Sequence, residues 1–108
     1  MKTKTKINRL LTSRKVLLMG EEDVYFCVLN IKGFENCILF SVNNNTLIPR
    51  IPFCKPQYVN NISLLNKGGE VESALIFNNE EDLIEAIVDI LFFVYKFFKI
   101  RSLPIRRI

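Results

Sequence analysis

The chain has 108 residues, 49% of them hydrophobic and 24% charged, with neither histidine nor tryptophan. That length holds one hydrophobic core and excludes a second, and the composition is that of a folded domain rather than a disordered chain. The net charge of +4 is segregated: residues 1–15 and 96–108 carry eleven bases and no acid, while the body between them holds four bases against all eleven acids.

In chain order, MKTKTK at residues 1–6 has nothing to bury and is expected to be a mobile basic arm. INRLLTSRK has the apolar spacing for a helical turn or two, through Ile7, Leu10 and Leu11. KVLLM then reads as extended and GEED as a turn of glycine and acids. VYFCVLNI, rich in β-branched and aromatic residues, is expected to be a central strand buried on both faces.

KGFEN breaks that run, CILFSV forms the next strand, and the asparagines at 43–45 supply a turn because Asn tolerates left-handed backbone angles. Pro49 and Pro52 interrupt TLIPRIPF and place it at a sheet edge or beyond, since proline cannot donate to a ladder. A long connection follows, with a short strand or turn at ISLL, and VESALIF is the last strand.

The final segment carries every helix signal. Asn78 or Asn79 caps it, Glu80, Glu81 and Asp82 crowd its first turn, Lys96, Lys99 and Arg101 its last, and Pro104 closes it. The expected fold class is therefore α+β. A single domain over 7–102, with an antiparallel meander of about four to five strands packed on one long C-terminal helix, lies between the arm at 1–6 and a basic tail at 103–108.

At 100° per residue, Glu85, Asp89, Lys96 and Lys99 form one polar stripe within about 80°, with Phe92 lodged inside it. Apolar residues fill nearly all the rest, an arc roughly twice the ~100° stripe of an ordinary surface helix. Each Phe or Leu left in water forgoes about 1.5–3 kcal/mol, so something must cover the second face. Three covers are conceivable: the chain itself through a curled sheet or the INRLL segment, a second protein or a second copy, or a membrane surface. A transmembrane span is excluded, because the stretch is short and Glu85 and Asp89 lie within it.

Without histidine, Ser-His and Cys-His dyads are excluded. Cys27, Cys37 and Cys54 have no CxxC spacing and are too few for a structural zinc site. An odd cysteine count without a secretory leader points to reduced thiols and a cytoplasmic setting. Glu81, Glu85 and Asp89 recur at helical spacing, which a solvated helix face explains better than a metal site. No phosphate loop or nucleophile elbow is present, so no enzyme, cofactor, metal or small-molecule substrate is expected.

The leading expectation is a protein-binding accessory, inhibitor or adaptor, homodimeric or bound to a larger target, with Asp89, Phe92, Phe93, Lys96, Phe97 and Phe98 at the contact. The alternative is a sequence-neutral nucleic-acid binder using Lys2, Lys4, Lys6, Arg9, Arg14, Lys15, Arg106 and Arg107 on phosphates. Tyr25, Phe26, Phe34, Phe40 and Tyr58 are candidates for its stacking platform on one sheet face. A peripheral membrane protein, its helix lying beside a polybasic tail, is the third. The abundance of Asn, Ile, Lys and Phe fits an AT-rich coding sequence, such as that of a low-GC bacterium, a phage or mobile element, a virus or an organelle.

Overall fold

The structure is a computed structural model, and it describes residues 2–34, 37–50, 63–66 and 73–99 together with Ile105. It is an α+β domain in which an antiparallel sheet packs on a long C-terminal helix. The elements run α1 (Thr3–Leu10), β1 (Val16–Gly20), β2 (Val24–Leu29), β3 (Ile38–Asn43), β4 (Thr46–Pro49), β5 (Ser63–Asn66), β6 (Ser73–Ile76) and α2 (Glu80–Phe97). The six strands lie in the order β1-β2-β3-β4-β6-β5, every pair antiparallel. The first four form the meander; β6 returns to pair with β4, and Ser63–Asn66 is the outermost strand β5.

Tight turns fix the meander's register. Glu21 N–H donates to Val24 O at 2.8 Å to close the β1–β2 turn. Gly20 there has φ +120°, and a Cβ would stand 2.7 Å from Val24 O, so glycine is required on both counts. Asn44 and Asn45 form the two-residue connection between β3 and β4, with Asn44 at φ 54°. A bulge between Cys27 and Val28 leaves Leu39 as the extra residue of β3, and both Leu39 and Phe40 are fully buried.

Two strand expectations are corrected. β2 alternates, with Tyr25, Cys27 and Leu29 buried while Phe26 and Val28 are half-buried and Val24 is exposed, so one face only is core. Aromatic and β-branched content made the strand legible, but the helical layer covers only one side of the sheet. β4 is interior, between β3 and β6, rather than at an edge. Its ladder to β6 involves only Thr46 and Leu47, so no hydrogen bond to β6 is needed from Pro49. Residues 51–62, including Pro52, lie outside the described residues.

α2 is capped by Asn79, whose side chain accepts from Asp82 N–H at 2.8 Å, and Glu80, Glu81 and Asp82 occupy the positive end of its dipole. Leu83, Ile84, Ala86, Ile87, Val88, Ile90, Leu91 and Val94 are buried along it. On the helical wheel these span an arc of about 200°, so most of the apolar circumference is covered by the chain itself.

The sheet supplies one side of that cover and α1 helps to supply the other. Residues 3–6, expected within a mobile arm, are the first turn of α1, and Ile7 is fully buried in the same core cluster as α2. Thr3, also buried, shares a 2.6 Å hydrogen bond with the Tyr25 hydroxyl, which removes the cost of enclosing both polar groups. Ile105, the described residue of the tail, is fully buried and pairs with Leu11 in an isolated antiparallel bridge.

Since Ile7 closes the core from α1, Ile7→Ala should cost about 2–5 kcal/mol, the range for truncating a fully buried isoleucine. Urea unfolding followed by circular dichroism checks this; a loss below about 0.5 kcal/mol, typical of an exposed position, would place Ile7 outside the core.

Candidate protein-interaction surface

α2 emerges from its cover at the C-terminal end. Val94 is its last buried position; beyond it Phe97 is 53% exposed, and Phe93, one turn earlier, is 39% exposed. The i, i+4 spacing of Phe93 and Phe97 stacks their rings with centroids 6.2 Å apart and 22° between planes. Phe97 meets Phe98 edge-to-face at 5.0 Å, and Phe98 meets Phe34 in the same way, also at 5.0 Å.

Phe34 comes from the β2–β3 connection, where its N–H donates to Ile31 O at 2.9 Å and its carbonyl accepts from Cys37 N–H at 3.1 Å. Gly33, at φ +92°, supplies the backbone angle that turns this connection. Phe34 is 48% exposed. Four rings from two elements thus form one continuous aromatic row.

Of the six residues expected at the contact, Phe93, Lys96 and Phe97 are exposed, whereas Asp89, Phe92 and Phe98 are half-buried. Phe92 and Phe98 pack against the core, so each is partly structural. Phe34, a stacking-platform candidate by sequence, joins this contact instead. Its signal was a lone aromatic in the polar break KGFEN, with nothing local to bury it.

The basic residues fall differently. Lys2, Lys4, Lys6 and Arg9 lie on or beside α1, and Arg14 and Lys15 are exposed ahead of β1; Arg106 and Arg107 lie outside the described residues. Lys6 forms an ion pair with Glu80 at the start of α2. Glu22, on the β1–β2 turn, accepts from Thr5 N–H at 3.0 Å and from the Thr5 hydroxyl at 2.8 Å. These bonds, the backbone one foremost, hold its carboxyl below the usual range, with Lys4 and Lys2 adding to the effect. Part of the N-terminal positive charge is therefore spent on the acidic body.

Between α1 and α2 lies a groove of about 640 Å³, floored by Leu10, Ile84 and Val88, with Lys6 and Arg9 on one wall and Glu81, Glu85 and Asp89 on the other. No group of three His, Cys, Asp or Glu among the described residues could hold a metal ion. The stacking platform does not assemble on one sheet face: Tyr25 and Phe40 are core, Phe26 faces outward, Phe34 lies off the sheet, and Tyr58 is outside the described residues. Cys27 is buried and Cys37 half-buried; Cys54 lies outside the described residues. No described helix is long and apolar enough to cross a membrane.

Comparison with protein-family models, curated protein sequences and solved structures finds no match.

Burial pushes the Tyr25 phenol up to about 12, outweighing the opposing hydrogen bond from Thr3. A raised pKa means that the folded state favours neutral Tyr25. Its stabilisation is complete below pH 10, the unfolded value, and is lost as pH rises towards about 12. Urea midpoints across this window should fall more steeply for the native chain than for Tyr25→Phe. Parallel curves would show that Tyr25 ionises as readily folded as unfolded.

Proposed function

We propose that this is a small non-enzymatic binding protein that engages another protein chain through the aromatic row Phe93–Phe97–Phe98–Phe34. The observation that carries the reading is the row itself. Among the described residues Phe34, Phe93 and Phe97 are the exposed aromatics, Phe98 is half-buried beside them, and the four rings are already ordered against one another. Pre-ordered aromatics bury much apolar area at low entropic cost, which is why they dominate interface energetics. Lys96, exposed on the same helix, and half-buried Asp89 place charges of both signs beside the rings, suited to fixing a partner's register.

Two features favour this reading over the nucleic-acid and membrane alternatives. Lys6 is paired to Glu80, and Lys2 and Lys4 lie near Glu22, which reduces the charge left for phosphates. The apolar arc of α2 is turned mainly into the core, which leaves too narrow a face for an in-plane membrane helix.

Affinity capture with the native chain and with Phe93→Ser/Phe97→Ser tests the proposal. The substituted chain should keep its circular dichroism spectrum, because both positions are exposed. Its specific partner should bind more weakly by on the order of tenfold or more per ring lost. Recovery of the same proteins with equal affinity would contradict the reading.

A further inference from the structure

A second surface, remote in sequence from the aromatic row, lies at the β1 edge of the sheet. β1 ends the strand order, and its ladder to β2 runs without interruption from Val16↔Leu29 to Gly20↔Tyr25. Asn30 N–H donates to Lys15 O and Glu21 N–H to Val24 O, each at 2.8 Å, so Lys15 and Glu21 occupy hydrogen-bonded positions of this ladder. Antiparallel pairs alternate, so Leu17 and Met19 also turn their backbone groups towards β2, while Val16, Leu18 and Gly20 point theirs outward. Among the described residues, no backbone hydrogen bond outside the sheet falls on those three.

The strand itself carries none of the residues that usually protect an edge. VLLMG has no charge or proline within it, and Leu17 and Met19 are 36% and 47% exposed on the sheet's outer face. Its flanks are charged with opposite signs, Arg14-Lys15 before the strand and Glu21-Glu22-Asp23 after it. In an antiparallel pairing of two such segments, basic flanks meet acidic ones at both ends. A parallel pairing would set like charges together.

We propose that β1 pairs antiparallel with β1 of a second copy of this chain, about a two-fold axis through Leu18, joining the two sheets into one. In that register the outward groups of Leu18 face those of the partner's Leu18, and Val16 meets the partner's Gly20. On the outer face Leu17 lies opposite the partner's Met19, and Lys15 opposite the partner's Glu21. The contact is isologous, so every interaction occurs twice. A one-residue slip would misalign the outward-pointing backbone groups and turn the two cores to opposite faces of the joined sheet, so the ladder selects this register among those that bring basic flanks against acidic ones.

Light scattering and sedimentation of the native chain, with Lys15→Glu, Glu21→Lys and the double exchange, test this. The native chain should be a dimer whose dissociation constant rises with salt. Each single reversal should raise that constant about tenfold, by replacing two attractions with two repulsions, and the double exchange should restore it. A monomeric native chain overturns the proposal and leaves the edge to a strand of another protein. A dimer indifferent to both reversals also overturns it, because another surface would then hold the copies together.

Amide exchange at Leu18 in the native chain gives a second readout that needs no variant. Its protection should increase with protein concentration, and constant protection overturns the proposal. The dimer should survive Phe93→Ser/Phe97→Ser, which separates this surface from the aromatic row.

Discussion

The structure depends on how α2 is covered. A helix with an apolar arc of about 200° cannot be satisfied by one layer of sheet, because a flat surface covers little more than the ~100° of an ordinary amphipathic stripe. The remainder is met by α1, whose Ile7 enters the same core as Leu83, Ile87, Leu91 and Val94. The Thr3–Tyr25 and Thr5–Glu22 hydrogen bonds and the Lys6–Glu80 pair hold α1 in place. A short helix of eight residues is not stable alone; it persists here because tertiary contacts fix it along its length.

The same arrangement explains the segregated charge. A basic N-terminus and an acidic body suggest tails reaching for external anions when read as sequence. In the folded chain, α1 rests against two acids of the body, Glu22 and Glu80. Complementarity between segments that are distant in sequence is spent internally, and α1 is positioned by it. Among the described residues, the exposed apolar surface is concentrated where this cover stops: at the end of α2, and on the outer face and edge of the first strands.

Most elements were legible because local chemistry specifies them. Asn79 and the acids after it begin α2, Gly20 and the 43–45 asparagines turn the meander, and β-branched or aromatic runs mark the strands. What was hidden required non-local knowledge. Thr3 counts as polar in any periodicity, and only the distant Tyr25 hydroxyl makes its burial tolerable. Pro49 and Pro52 point to an edge, and the return of β6 to Thr46 and Leu47 leaves no local trace to oppose them. At the candidate contact, spacing alone places Phe93 and Phe97 together. The partly buried state of Phe92 and Phe98, and the approach of Phe34, depend on where the β2–β3 connection lands.

α1 forms part of the core and is not an appended arm. Amide hydrogen exchange of α2 in a chain lacking residues 1–10 tests it most directly. If α1 covers α2, removing it should uncover Ile84 and Val88, and protection from Ile84 to Val94 should fall by orders of magnitude as cooperative folding is lost. Protection in α2 equal to that of the intact chain would contradict the account and return the N-terminal segment to the status of a solvated arm.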